Sequence, residues 1–162
     1  MNVTSMDKMT QYEALGVEIG HAPGWGTSPQ PKRKRSVHIL CIDDDEHVRE
    51  FLDKCLTRFE HRVTVASGGK HGLDLFRTAT LENQPYEVVI TDLGMPDVDG
   101  QLVAQTIKAE SPKTPVIMMT GWGTIMDDER ETDFSVDAVV GKPPCMNELN
   151  DLVLRIAAPL LF

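Results

Sequence analysis

Five short apolar runs, each followed by a stretch of helical or loop character, divide the sequence from residue 37 onward. They are VHILCI (37–42), RVTVA (62–66), YEVVIT (86–91), TPVIMMT (114–120) and DAVVG (137–141). Mostly continuous apolar runs of this length are what parallel strands need when both faces of the sheet are covered. After the first run, Val48, Phe51, Leu52, Cys55, Leu56 and Phe59 recur at helical spacing and form one apolar face. Leu73, Phe76 and Ala79 mark a shorter helix after the second run, and Leu102, Val103 and Ile107 another after the third. The segment 124–133 has only Ile125 and Met126 as apolar anchors, so a helix there is weakly held. Met146, Leu149, Leu152, Val153 and Ile156 give a closing helix within 145–158. Five strand–helix units joined by right-handed crossovers predict an open parallel sheet with helices on both faces. Ligands in such sheets bind at the carboxyl ends of the strands, beside the point where strand order reverses.

Residues 1–36 lack this pattern. GHAPGWGTSPQPKRKRS is rich in Gly, Pro, Ser and charge and reads as a flexible N-terminal arm or linker, with a weak helical signal around 6–16. The domain organisation read from this is an arm over 1–36 and one folded domain over 37–162. No apolar run approaches 18 residues, so no membrane segment is expected, and no signal peptide is visible at the N-terminus. Cys41, Cys55 and Cys145 are odd in number and contain no CxxC pair, which fits reduced thiols in a cytoplasmic protein. The net charge of −9 is unevenly placed: five basic and three acidic residues give 1–36 a charge of +2, leaving −11 for the rest. A body this acidic is not expected to bind nucleic acid directly. The KRKR run at 32–35 reads as a solvated flank of the first strand; a basic arm for nucleic acid or an acidic partner is the other reading.

The residues at the predicted strand ends restrict the chemistry. Asp43, Asp44 and Asp45 follow the first strand, Asp92 the third, Thr120 closes the fourth, and Lys142 follows the fifth. Clustered carboxylates make a hard oxygen site suited to Mg²⁺ with several waters retained. A carboxylate beside a divalent cation and an ammonium is set up to attack phosphorus, because both cations neutralise charge developing on a phosphoryl group. The product would be an aspartyl phosphate.

Four motifs in order, ILCIDDDE, VVITDLGMPDVDG, VIMMTGWG and VVGKPP, make residues 37 to about 158 resemble the receiver domain of two-component response regulators. The resemblance covers roughly three quarters of the chain and implies an α/β fold: a (βα)5 doubly wound, five-stranded parallel sheet in the flavodoxin-like order 2-1-3-4-5. It implies that Asp92 is the phosphoacceptor and that Asp43, Asp44, Asp92 and the backbone carbonyl of Gly94 hold Mg²⁺. It further implies that Thr120 is the conformational-switch hydroxyl, that Lys142 binds the phosphoryl group, and that the Lys142–Pro143 peptide is cis. The implied partners are a histidine kinase or histidine phosphotransfer protein. A second copy or a downstream protein would dock on the family's helix 4, strand 5 and helix 5 face, here 124–133, 137–141 and 145–158. The implied role is a signalling domain catalysing only its own phosphorylation and dephosphorylation. It would stand alone or as the C-terminal receiver of a hybrid histidine kinase, with no output domain expected after residue 158.

One position departs from the family. Three residues before the lysine, where Tyr or Phe is usual, stands Val139, which cannot reproduce the inward turn of an aromatic ring. The rival reading, a phosphatase of haloacid-dehalogenase type, needs an acid two residues after the nucleophile, and that position is Gly94. Asp45 and Asp99 read as helix caps rather than ligands, and His47 as an exposed residue of the first helix. Asp97 and Asp99 fail the calcium-loop pattern because Met95 and the Gln105–Thr106 positions lack its acids. Trp122, two residues after Thr120, is expected either to shield a phosphoryl group from water or to mark a docking surface.

Overall fold

The computed structural model describes residues 35–121 and 135–157. The readings for the arm before Arg35, for a helix at 124–133 and for Trp122 lie outside the described residues. Among the described residues nine elements follow one another: β1 (His38–Ile42), α1 (Glu46–Arg58), β2 (Arg62–Ala66), α2 (Gly69–Leu81), β3 (Val88–Asp92), α3 (Gly100–Glu110), β4 (Val116–Gly121), β5 (Ala138–Lys142) and α4 (Met146–Ala157). The strands form one parallel sheet in the order β2-β1-β3-β4-β5, as expected. Strand order reverses between β1 and β3, so the loops after those two strands flank the crevice where ligands of such sheets sit.

Successive strand residues point to opposite faces, and β1 shows the consequence. Val37, Ile39 and Cys41 pack under α1 and α4 with Leu52, Leu56, Leu149 and Val153. Leu40 and Ile42 pack under α2 and α3 with Leu73, Phe76, Val103, Ala104 and Ile107. Continuous apolar runs buried on both faces therefore describe β1, β3 and β4. The edge strands β2 and β5 are only partly covered, and Val139 is 44 % exposed. Two predicted core positions lie outside the core: Phe51 is 44 % exposed and Leu102 48 %. Each sits at the margin of its helix's apolar arc, where the sheet no longer reaches.

Helix starts follow local chemistry. Asp45 caps α1, its carboxylate accepting from the N–H groups of His47 at 2.8 Å and Val48 at 3.4 Å. Those bonds hold its carboxyl below the usual carboxylate range. Asp99 caps α3 by accepting from Leu102 N–H at 2.8 Å. At the opposite end of the sheet, Arg35 donates to Glu87 Oε1 at 2.9 Å and to the Ala157 carbonyl at 2.8 Å. Glu87 Oε2 also accepts from the His38 N–H at 2.9 Å. The last base of the KRKR run is thus a structural residue rather than a solvated flank.

Candidate functional site

β1 ends at Ile42, but Asp43 continues the pairing, its N–H donating to the Ala66 carbonyl at 3.1 Å. This seals Asp43 into the sheet, and it is fully buried. A buried carboxylate requires partners, and both oxygens have one. Oδ1 accepts from the Asp45 N–H at 2.9 Å, and Oδ2 accepts from the Lys142 ammonium at 2.6 Å. Lys142, the last residue of β5, also pairs with Oδ1 of Asp92, the last residue of β3, at 2.8 Å. Burial pushes the Asp43 carboxyl above the usual carboxylate range, and the bonds from Lys142 and Asp45 offset only part of that. Burial also disfavours the charge on Lys142, but its bonds to Asp43 and Asp92 outweigh it and raise its pKa.

Asp44 lies exposed beside them, and one oxygen from each of Asp43, Asp44 and Asp92 falls within 4.8 Å of the other two. Hard, closely grouped oxygens of this kind fit Mg²⁺ better than a softer or larger-shell metal. Asp92, Leu93, Gly94, Thr120, Gly121 and Lys142 line an open cleft of about 410 Å³. Thr120 is buried, and its hydroxyl donates to the Gly121 carbonyl at 3.3 Å. At Gly94 an added Cβ would meet nothing within 4 Å, so the cleft is open there. The Lys142–Pro143 peptide is cis, as expected. Just outside, His47, Val48, Phe51, Pro143 and Pro144 form an apolar hollow, with His47 exposed as expected. Asp92, Gly94, Thr120 and Lys142 thus line the cleft, and Asp43 and Asp44 join Asp92 in the carboxylate group, whereas Asp45 and Asp99 serve as caps.

Two residues of this crevice were not singled out by the sequence. The Arg49 guanidinium donates to the carbonyls of Asp43 at 2.9 Å and Asp44 at 2.8 Å. Gly100 packs so tightly on β3 that an added Cβ would lie 2.0 Å from the Asp92 carbonyl oxygen. The only sequence signal for either is position: Arg49 stands one turn after the acidic loop, and Gly100 opens the helix after β3.

The raised Asp43 pKa carries a testable sign. A carboxyl whose folded pKa exceeds its unfolded value destabilises the fold once the pH passes the unfolded value of 3.8, and fully so above the folded value. Without added divalent metal, Asp43→Asn is therefore expected to melt higher than the natural chain at neutral pH. The gain should shrink as the pH falls toward 3.8. A melting temperature lower than that of the natural chain at pH 7 would show that the pair with Lys142 outweighs the burial of Asp43.

Residues 39–154 match the family model of the response regulator receiver domain. A probable transcriptional regulator, ycf27, of Cyanidium caldarium is 32 % identical over 125 residues, covering 77 % of this chain and 48 % of that protein. The cell cycle response regulator CtrA of Brucella ovis is 27 % identical over 113 residues, covering 70 % and 47 %. The chain thus spans about half the length of the curated relatives it matches. Among solved structures, a response regulator receiver domain protein from Clostridium thermocellum superposes with a TM-score of 0.67 at 26 % identity, covering 78 % of this chain and 99 % of that one. The response regulator TrrA from Thermotoga maritima, solved in complex with Mg²⁺-BeF, gives 0.63 at 25 % identity, covering 74 % and 98 %. No helix among the described residues is long and apolar enough to cross a membrane.

Proposed function

The chain belongs to the response regulator receiver domain family, and from that premise we propose that it takes a phosphoryl group onto Asp92 and switches a signalling surface in response. The observation that carries this reading is the single ammonium of Lys142, held between the carboxylates of Asp43 and Asp92 at the reversal point of the sheet. A carboxylate placed beside a cation, at the rim of an open cleft, is set up as a nucleophile.

Asp43, Asp44, Asp92 and the Gly94 carbonyl are the residues that would hold Mg²⁺, supported by the grouping of the three carboxylates. When bound, the ion would supply positive charge opposite the transferring phosphoryl oxygens. A carboxylate oxygen of Asp92 attacks phosphorus, and the bond from phosphorus to the donor breaks, leaving an acyl phosphate and a donor that takes up a proton. Lys142 exchanges its bond to Asp92 for one to a phosphoryl oxygen, so its charge stays paired. Thr120, on the cleft wall, trades its weak bond to Gly121 for the same group. The donor would be a histidine kinase or histidine phosphotransfer protein, and Phe51, Pro143 and Pro144 offer apolar surface at the rim for its approach. The phosphatase alternative has no acid at Gly94, and among the described residues lining the cleft the one acid is Asp92 itself.

The test is an intact mass after incubation with acetyl phosphate. One phosphoryl group should add in the presence of Mg²⁺ and almost none in EDTA. Melting temperature should also rise with millimolar Mg²⁺, since a ligand bound only by the folded state stabilises it. Metal-independent labelling, or catalytic turnover of a phosphomonoester such as p-nitrophenyl phosphate, would overturn the reading.

A further inference from the structure

We propose that Arg49 is the positioning residue of the acidic loop, fixing the direction of Asp44 and thereby the affinity of the metal site; this rests on the metal-binding reading above. Asp43 is held three ways: by its N–H on Ala66, by Asp45 N–H on Oδ1 and by Lys142 on Oδ2. Asp44 has none of these restraints. Its carboxylate is exposed, and no donor among the described residues holds it. What is held is its backbone. Nη1 of Arg49 bonds the carbonyls of Asp43 and Asp44, one on each side of the Asp44 Cα. Both peptide planes beside the Asp44 Cα are tied to one nitrogen, and one Asp44 carboxylate oxygen lies within 4.8 Å of those of Asp43 and Asp92. Arg49 is itself half-buried on the first turns of α1, whose start is set by the Asp45 cap, so the brace is anchored to a rigid element.

Charge and bracing act in opposite directions here, which separates them by experiment. As a cation bonded to the loop that carries Asp43 and Asp44, Arg49 repels a second cation, so a purely electrostatic role predicts tighter Mg²⁺ binding when it is removed. That effect would fade in salt. A bracing role predicts weaker binding that persists in salt, because outer groups that orient ligands are typically worth 10–100-fold in metal affinity.

The experiment uses the full chain and MgCl2. The rate of labelling by acetyl phosphate is measured against Mg²⁺ concentration at low and high salt, alongside thermal melts. In Arg49→Gln the half-saturating Mg²⁺ should rise about tenfold, the low end of that range, while the rate at saturating Mg²⁺ stays near that of the natural chain. Arg49→Lys keeps one donor nitrogen for the two carbonyls and should recover most of the affinity. An unchanged or lower half-saturation in Arg49→Gln overturns the brace. If that variant fails to fold, Arg49→Lys decides: a half-saturation raised as much as tenfold in a folded Lys variant overturns it, and one close to the natural value supports it. Should the natural chain show no Mg²⁺ dependence at all, the metal-binding reading has failed before the brace is tested.

Discussion

Asp92→Asn, incubated with acetyl phosphate and Mg²⁺, gains no phosphoryl group under conditions that label the natural chain. The substitution exchanges one oxygen for an amide nitrogen with no change in shape. The amide retains an acceptor for Lys142, and Lys142 keeps its 2.6 Å bond to Asp43. The fold should therefore survive, with a melting temperature close to that of the natural chain. What is lost is the nucleophile. Among the described residues no second carboxylate lines the cleft: Asp43 is fully buried with both oxygens engaged, and Asp44, though grouped with Asp92, is not one of the lining residues. Labelling should fall by more than about a hundredfold, at least ~2.7 kcal/mol in the barrier. An adduct of equal yield in Asp92→Asn would move the phosphoacceptor elsewhere.

Gly100→Ala should produce the largest loss of stability of any methyl-sized change near the site. In an exposed helix interior, Gly→Ala usually gains about 1 kcal/mol. Here the new Cβ would lie 2.0 Å from the Asp92 carbonyl oxygen, 2.8 Å from its carbon and 2.9 Å from Leu93 Cα. All three are backbone atoms, so no side chain can rotate away. Relief requires α3 to back off from β3, and that opens the core formed by Val103, Ala104 and Ile107. Overpacking of this kind typically costs about 1–3 kcal/mol, occasionally more, and for a domain of this size a loss in that range lowers the melting temperature by roughly 5–15 °C. Because the displaced backbone belongs to Asp92, labelling should slow as well. A melting temperature equal to or above that of the natural chain would show that the contact between α3 and β3 yields freely.

The fold was legible because period and run length are read directly from the side chains. Ile39, Leu40, Cys41 and Ile42 leave no polar face, so β1 had to be covered on both sides. The acids and the lysine were legible because each stands at the end of such a run. What could not be read was contact between backbone and side chain. The Arg49 brace and the Gly100 approach both engage carbonyl groups, which every residue carries, so nothing in the letters marks them. Arg35 was hidden differently: it sits in a run of like charges, and only the positions of Glu87 and the end of α4 distinguish it from its neighbours. Phe51 and Leu102 were misplaced because periodicity locates the centre of an apolar face better than its margins.

The ties made by Arg35 have a mechanical side. Residue 35 enters the domain at the amino ends of β1 and β3, and Asp43 stands beyond the opposite end of β1. A five-residue strand separates the two, roughly 16 Å at about 3.3 Å per residue. A pull along the chain ahead of Arg35 is therefore met by Glu87, the end of α4 and the His38 N–H before it reaches the sheet. The acidic loop lies downstream of that anchor. A load arriving at Arg35 is thus taken up at the amino ends of the strands, and the oxygens around Asp92 keep their spacing.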